Sequence, residues 1–170
     1  MHDTEVLEQT ATGEAWRVRR ATLADLPVLL TLRRDLFVAM GDSDPVKLEQ
    51  MVQACARYWA EALPAERFLG WVAEVEGEVV ATGGLVVREF PPTVRNMAGR
   101  DGYIMSMYTR PEWRRQGIAR SILRAIIDYL REAGVPRASL HATEEGRPLY
   151  LSEGFQSTDE LRLWVEPDEG

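Results

Sequence analysis

The chain has very little cysteine and histidine with which to build covalent or metal chemistry. Its 170 residues include one cysteine, Cys55, and two histidines, His2 and His141, that lie far apart in the sequence. A single cysteine excludes an internal disulfide and a cysteine-based zinc cluster, and we expect no metal. Because Cys55 recurs with apolar residues at helical spacing, we interpret it as a buried small side chain rather than a nucleophile.

Long hydrophobic runs and a basic, apolar N-terminus are also missing. No apolar run approaches the roughly 18 residues that a membrane-spanning helix requires. Residues 1–5 are acidic, where a secretory signal would be basic. We therefore expect a cytoplasmic protein with no membrane partner. Because 45% of the residues are hydrophobic and 28% are charged, the chain still has enough apolar mass for one folded core.

Lysine is nearly absent, and basic residues are outnumbered by acidic ones. The net charge is −7, and the 20 basic residues include one lysine, Lys47. A nucleic-acid partner would require a basic face, so we expect no such partner. Nearly all the positive charge is guanidinium, a group that suits phosphate.

The spacing of apolar residues predicts one mixed domain between two polar ends. We expect residues 1–15 to be a polar N-terminal extension, residues 16–166 to form the domain and residues 167–170 to be a frayed tail. Strands are predicted over 16–20, 68–75, 78–87, 103–109, 137–142 and 161–165. Helices are predicted from Thr22 to before Gly41, from Leu48 to Leu63, and over 117–133 and 147–152. The apolar face of the first helix comprises Leu26, Leu29, Leu30, Arg33 and Phe37.

A buried strand, a short turn and a helix start together form the segment that carries the chemistry. Small residues, Gly117 and Ala119, lie where the helix begins. They leave unpaired N–H groups and the positive end of the helix dipole open to an anion such as a diphosphate. Only Glu112 is near enough in sequence to offset the arginines that crowd this end, which are Arg110, Arg114, Arg115 and Arg120.

Two separate motifs in this half of the chain point to one family. The first is Arg114-x-x-Gly117-x-Ala119, and the second is Pro148-Leu149-Tyr150-Leu151-Ser152-Glu153-Gly154-Phe155. They resemble the coenzyme A pyrophosphate motif and the Leu-Tyr-x-x-x-Gly-Phe signature of the GNAT superfamily of acyl-CoA-dependent N-acetyltransferases. The resemblance is closest over residues 103–155 and extends over 18–165 by the order of the predicted elements.

The resemblance implies an α/β (α+β) fold: a mixed, mostly antiparallel central sheet of about six to seven strands, flanked by helices on both faces. It also implies acetyl-CoA as cosubstrate and direct acetyl transfer, without a covalent enzyme intermediate, to a primary amine of a small molecule or peptide. The Met107 N–H would also stabilise the oxyanion of the reaction. The implied acetyl-CoA-binding residues are Met107, Tyr108, Thr109, Arg114, Arg115, Gln116, Gly117, Ile118, Ala119 and Arg120.

The resemblance assigns the two catalytic proton transfers to different residues. Tyr150 would protonate the departing thiolate, because a tyrosine with a pKa near 10 is protonated at neutral pH. His141, in the strand before the Tyr150 helix, would accept the proton of the attacking ammonium. Glu144, Glu145 and water are alternatives for this base, and relatives often have an asparagine where Glu144 and Glu145 lie.

The acceptor side is less defined by the sequence. In the family, the first two helices and the loops near the last strands wall the acceptor groove. Here that wall includes Asp42, Asp44 and Glu49, which would attract a cationic amine or form a solvated loop. The short segment after Phe155 predicts an abbreviated closing hairpin, so the groove would be open or completed by a second subunit, and we expect a homodimer. Two alternatives have no turnover: a module that binds acyl-CoA, and a nucleotide-phosphate binder unrelated to coenzyme A.

Overall fold

The elements follow one another along a single mixed sheet. The computed structural model describes residues 6–9, as a strand only, and residues 15–165. In these ranges the strands are β1 (Val6–Gln9), β2 (Ala15–Arg20), β3 (Leu69–Val75), β4 (Glu78–Glu89), β5 (Arg100–Thr109) and β6 (Ala138–Leu140). The helices are α1 (Leu26–Ala39), α2 (Pro45–Ala62), α3 (Ile118–Glu132) and α4 (Arg147–Ser152).

The six strands lie in the order β1-β2-β3-β4-β5-β6. Each neighbouring pair from β1 to β5 is antiparallel, whereas β6 is parallel to β5. Parallel pairing requires a crossover connection, and α3 supplies it between β5 and β6. The predicted mixed, mostly antiparallel sheet is confirmed, at the lower end of the predicted strand count.

Helices cover both faces of the sheet, as the sequence predicts. The α3 face is closed by fully buried Ile122 and Ile126, which pack against Trp71 and Leu85 of the sheet. The opposite face is closed by α1 and α2, where Leu32 and Trp59 pack against Phe68, Val72 and Val79. Because β4 and β5 are buried on both faces, their apolar residues form nearly continuous runs.

Two helix starts differ from the prediction: α1 follows a 3-10 turn, and α2 begins at Pro45, three residues before the predicted Leu48. The capping box between Thr22 and Asp25 is present, but Leu23–Asp25 form a 3-10 turn before α1 begins. The carboxylate of Asp44 caps α2 by accepting the N–H groups of Val46 and Lys47 at 2.9 and 3.2 Å. No helix in the described ranges is long and apolar enough to span a bilayer.

The structure differs from the sequence prediction at both ends of the sheet. Val6–Gln9, within the predicted polar extension, pairs with β2 as an edge strand that the sequence analysis did not predict. Leu161–Val165 forms no strand, and Leu161 and Trp164 are 95% and 82% exposed. Alternating apolar residues form a strand only where an edge can pair with them, and the adjacent edge strand β6 has just three residues.

Candidate active site

The C-terminal half of β5 is distorted and open on one side. Its pairing with β4 shifts register between Thr82 and Gly84, and Ser106 adopts a left-handed φ of 56°. This geometry is a β-bulge, which redirects the side chains that follow it. The parallel pairing with β6 ends at Ile104. Beyond Ile104, β5 therefore has no strand neighbour on the β6 side within the described chain, and its outer backbone groups can bind a ligand.

Gly83 allows the bulge to pack tightly against α3. A Cβ atom at Gly83 would lie 2.6 Å from Ile122 and 2.7 Å from the sulfur of Met107. Met107 packs against the α3 core, whereas Met105 and Tyr108 pack against the α1–α2 core. Thr109 ends the strand, and its carbonyl accepts a 3.0 Å hydrogen bond from Arg114 Nε. The predicted residues Met107, Tyr108 and Thr109 thus lie at the open edge.

The turn into α3 presents a run of unpaired backbone donors. Arg115 and Gly117 both have left-handed φ angles, of 63° and 91°, and Gly117 caps the helix. Within the described residues, the N–H groups of residues 115–120 have no hydrogen-bond acceptor. Gly117 is exposed above the ring of Trp16, which lies 3.8 Å from where a Cβ atom would be. Consecutive free N–H groups at a helix N-terminus form an anion-binding concavity.

Most of the arginines around this turn already have carboxylate partners, which corrects the expectation that Glu112 alone offsets them. Arg110 pairs with Glu78, Arg114 with Glu145 at 3.4 Å, and Arg120 with Glu153. Arg115 is exposed and has no carboxylate partner in the described chain. The anion-binding character of the turn therefore comes from backbone N–H groups more than from uncompensated charge.

Glu153 ties the start of α3 to the end of α4. Its carboxylate accepts from Arg120 and from Arg124, the latter at 3.0 and 3.1 Å. The hydrogen bonds from Arg124 and Arg120 hold the pKa of Glu153 below its ordinary value. This bridge fixes α4, and with it Tyr150, relative to the helix start.

Tyr150 lies on α4 with a buried ring and an unengaged hydroxyl. Its side chain is 9% exposed and its ring meets Phe155 edge-on, with centroids 5.9 Å apart. Within the described chain the hydroxyl has no hydrogen-bond partner. Burial raises the pKa of Tyr150 above its ordinary value. The group is therefore protonated at neutral pH and able to donate a proton.

All three predicted candidates for the catalytic base, His141, Glu144 and Glu145, lie in the loop that follows β6. His141 is exposed, one residue beyond the end of β6, so the prediction that it lies in a strand is wrong. It lines the same cavity as Tyr150, a space of 790 Å³ beside the open edge of β6. Glu144 is exposed, and Glu145 is engaged by Arg114.

A second cavity of 280 Å³ lies between α1 and α2. Its lining includes Arg33 and Phe37 from α1, Leu48 and Met51 from α2, and Asp42, Asp44 and Lys47 near the connection between the helices. Arg33 Nη1 donates a 2.7 Å hydrogen bond to Ser106 Oγ at the bulge of β5. The sequence analysis did not identify Arg33 as a functional residue. Its position on the otherwise apolar face of the first helix was a signal that could have identified it.

Cys55 lines neither of these two cavities. Cys55 is half-buried and packs against the α1–α2 core. No cluster of three or more His, Cys, Asp or Glu side chains that could hold a metal ion occurs among the described residues.

Comparisons with known proteins agree with this geometry. A family model described as the acetyltransferase (GNAT) family matches residues 29–155. A GCN5-related N-acetyltransferase from Ralstonia eutropha JMP134 has 30% identity and a TM-score of 0.82, covering 88% of this chain and 98% of that one. A predicted acetyltransferase from Clostridium acetobutylicum, solved with acetyl-CoA, has 31% identity and a TM-score of 0.77, covering 90% and 96%.

Curated relatives match over different lengths. Uncharacterized N-acetyltransferase YjgM of Escherichia coli (strain K12) is 28% identical over 156 residues, covering 84% of this chain and 83% of that protein. N-acetyltransferase 8 of Rattus norvegicus is 31% identical and covers 53% of this chain. An aminoglycoside 2'-N-acetyltransferase of Mycolicibacterium fortuitum is 33% identical and covers 46%. The chain spans only 40% and 39% of the lengths of these last two proteins.

Proposed function

The chain belongs to the acetyltransferase (GNAT) family of acyltransferases, and from this premise we propose that it transfers the acetyl group of acetyl-CoA directly to a primary amine. The observation that carries the proposal is the run of free N–H groups at residues 115–120, beside the open edge of β5. The run suits a diphosphate, and the open edge suits the extended arm and acetyl group attached to it.

Each part of acetyl-CoA has a matching surface in this chain. The diphosphate would lie on Arg115, Gln116, Gly117, Ile118, Ala119 and Arg120, with Arg114 beside them. The arm and acetyl group would follow the edge of Met107, Tyr108 and Thr109. The Met107 N–H would donate to the acetyl oxygen, where negative charge grows as the amine attacks.

The reaction requires one bond to form and one to break. The amine nitrogen attacks the thioester carbon, the carbon–sulfur bond breaks, and the electron pair leaves with the sulfur. We assign protonation of that thiolate to Tyr150. Its hydroxyl makes no competing hydrogen bond among the described residues, and burial keeps the pKa of Tyr150 raised.

The acceptor amine is mostly ammonium at neutral pH and has to lose a proton before it attacks. We assign this step to His141, directly or through water. His141 shares the 790 Å³ cavity with Tyr150, whereas the carboxylate of Glu145 is engaged by Arg114. A His141→Gln variant is expected to lower kcat by about 10²- to 10⁴-fold. Unchanged turnover would leave Glu144, Glu145 or water as the base.

Calorimetric titration with acetyl-CoA tests the cosubstrate site. Ala119→Glu is the sharpest variant, because residue 119 lies in the first turn of α3, where a carboxylate suits the helix but would repel a diphosphate. We expect micromolar binding by the unaltered chain and a loss of about 100-fold or more in Ala119→Glu, with Ala119→Ser as the matched control. Gly117→Glu should also abolish binding, but its left-handed φ of 91° makes that variant strained.

The alternatives differ in what this titration and a turnover assay would give. A module without turnover would bind acetyl-CoA yet release no coenzyme A thiol with any of a broad panel of amines. A nucleotide binder would prefer a free nucleotide to acetyl-CoA. No binding by the folded chain would contradict the proposal itself.

The acceptor is proposed to be a small-molecule or peptide amine. One relative acts on aminoglycosides by its name, which agrees with a small-molecule amine acceptor in this family. The 280 Å³ cavity lined by Arg33 is slightly smaller than the roughly 300–1,000 Å³ that is typical of ligand pockets. This volume favours a small acceptor, or one end of a larger acceptor.

We also propose that two copies of the chain associate through the C-terminal segment Leu161–Val165. Leu163 and Trp164 are 83% and 82% exposed, and the outer edge of β6 has no strand partner in the described chain. A segment of this composition is suited to adding a strand to such an edge in a second copy. Light scattering should give a dimer that Trp164→Lys weakens; a monomer in the unaltered chain would contradict this association.

A further inference from the structure

Arg33 differs from the other half-buried arginines in the groups to which its guanidinium donates hydrogen bonds. Most of these arginines pair with a carboxylate, and Arg100 donates instead to the carbonyls of Ala133 and Gly134 at the end of α3. Arg33 has no carboxylate or carbonyl partner in the described chain, only the hydroxyl of Ser106. The paired arginines are Arg17, Arg19, Arg20, Arg88, Arg110, Arg114 and Arg120.

The position of Arg33 is fixed although its charge is not neutralised. The guanidinium lies 4.9 Å from the ring centre of Phe37 and 5.9 Å from that of Trp59. Nη1 is held by Ser106 Oγ at 2.7 Å, and the buried Nε has no partner among the described residues. The two rings stabilise part of the positive charge, and the guanidinium N–H groups that have no partner can still donate to an anion. Arg33 lines the 280 Å³ cavity, so an anion in that cavity can reach it.

The charges around the cavity favour a monoanion. Asp42 and Asp44, near the exposed connection between α1 and α2, would repel a phosphate dianion, and they balance the charges of exposed Lys47 and of Arg33 in the same lining. One guanidinium matches the single charge and the planar shape of a carboxylate. The same aspartates tolerate a molecule that also carries an ammonium group. The cavity therefore suits a zwitterion rather than a simple anion or a simple cation.

The hydrogen bond between Arg33 and Ser106 connects the cavity to the proposed reaction centre. Ser106, which binds Arg33, directly precedes Met107, whose N–H is assigned to the acetyl oxygen. Because this hydrogen bond joins Arg33 to the segment of β5 proposed to hold the acetyl group, we expect an anion bound by Arg33 to lie near the attacking amine. The apolar side chains of Phe37, Leu48 and Met51 line the rest of the cavity and can hold the remainder of the molecule.

We propose that Arg33 binds a carboxylate of the acceptor, and that the acceptor is a free α-amino acid or a similar small amine with a carboxylate next to it. This inference rests on the proposed acetyltransferase function and makes that function more specific. It disfavours a peptide N-terminus, since the carboxyl group next to such an amine is an amide. It likewise disfavours amines without a carboxylate, including aminoglycosides.

The test compares acids with their amides in the unaltered chain. Turnover with acetyl-CoA is followed by release of the free thiol, with the standard L-amino acids and their carboxamides as acceptors. At least one amino acid should exceed its own amide in kcat/KM by about tenfold or more, because a site built around a charged hydrogen bond rejects the analogue that lacks its partner. Equal turnover of acid and amide would overturn the inference.

Two matched variants assign the preference to Arg33. Arg33→Gln should lower kcat/KM for the amino acid by about 10- to 100-fold and leave that of the amide within about twofold. Arg34→Gln removes the same charge from an exposed neighbouring position and should change neither value. A retained acid preference in a folded Arg33→Gln protein would overturn the assignment. Arg33→Lys, which keeps the charge but lacks the planar fork, covers the case in which Arg33→Gln fails to fold.

Acetyl-CoA binding separates failure of this inference from failure of the proposed function. If the chain binds acetyl-CoA and acetylates amines that lack a carboxylate but no amino acid, the function stands and the role of Arg33 is wrong. If the folded chain binds no acetyl-CoA, the proposed function itself fails.

Discussion

The two faces of the central sheet are built by different means. On the α3 face, the proposed cosubstrate site comes from one stretch, residues 107–120, with Tyr150 added from α4. Its donors are backbone N–H groups, and most arginines beside it are neutralised by carboxylates of the chain. On the α1–α2 face, Arg33 meets Ser106 across 73 positions of sequence and has no carboxylate partner in the described chain.

The difference between the two faces matches the different demands of binding the cosubstrate and of selecting the acceptor. Backbone N–H groups bind the phosphate groups that every acetyl-CoA molecule carries, so that face needs a loop conformation more than particular side chains. The acceptor has to be distinguished from other amines, and only side chains differ enough to do so. We therefore expect substitutions on the two faces to affect different kinetic constants.

The largest effect is expected from Tyr150→Phe on the α3 face. Removing the proposed proton donor should lower kcat by about 10²- to 10⁴-fold, the usual contribution of general acid catalysis. The affinity for acetyl-CoA and the melting temperature should stay close to those of the unaltered chain, because the hydroxyl makes no hydrogen bond within the described residues. Steady-state kinetics and calorimetry measure both quantities.

Tyr103→Phe is the matched control for that variant. Tyr103 lines the same 790 Å³ cavity but lies at the paired end of β5, so its hydroxyl should be dispensable. Equal turnover in Tyr150→Phe and the unaltered chain would remove Tyr150 from the mechanism.

A pair of core substitutions tests whether the faces are functionally separate. Ile126→Ala on α3 and Leu32→Ala on α1 both truncate fully buried side chains, and each should lower the free energy of unfolding by about 2–5 kcal/mol. At a temperature where both proteins are folded, Ile126→Ala should weaken acetyl-CoA binding and Leu32→Ala should raise KM for the acceptor. If both variants changed the same constant, the two faces would not act separately.

A smaller effect is expected at the bulge that joins the two faces. Ser106→Ala removes the oxygen that holds Arg33, and it should raise KM for the acceptor by about tenfold with little change in kcat. Ser106→Gly also removes the hydroxyl but suits the left-handed φ of 56°, so it should be the more stable variant. A larger kcat loss in Ser106→Ala than in Ser106→Gly would indicate that bulge geometry, rather than Arg33, limits the reaction.

The smallest effect is expected for the carboxylate that links α3 to α4. The pKa of Glu153 is lowered in the folded chain, so its contribution to stability is present above its ordinary pKa and is lost as the pH falls through the lowered value. Glu153→Gln should cost about 1 kcal/mol or less at pH 7, because solvent screens its arginine partners. The difference should shrink as the pH falls below the ordinary pKa of a glutamate and disappear only below the lowered pKa of Glu153. Thermal melts from pH 7 to pH 3 measure it, with Glu132→Gln as an exposed control.

Local sequence signals predicted the α3 side in detail. The hairpin of β3 and β4, the strand–turn–helix from β5 to α3, and the bounds of α4 follow from periodicity, glycine positions and short motifs. The same reasoning wrongly predicted strands at His141 and at residues 161–165, because a strand depends on a partner that can lie anywhere in the chain. Val6–Gln9 was missed for the same reason: four residues are too few to show a pattern, and the pairing depends on β2.

The sequence by itself indicated the family and the cosubstrate class, and it predicted the segment that we propose to hold a diphosphate, because those properties depend on short motifs and on local backbone geometry. The tertiary structure alone decided which charges are neutralised. It pairs Arg110, Arg114 and Arg120 with carboxylates from distant segments, and it places Arg33 beside Ser106 with no carboxylate near it in the described chain. Electrostatic balance depends on distances in space, which a linear sequence does not contain.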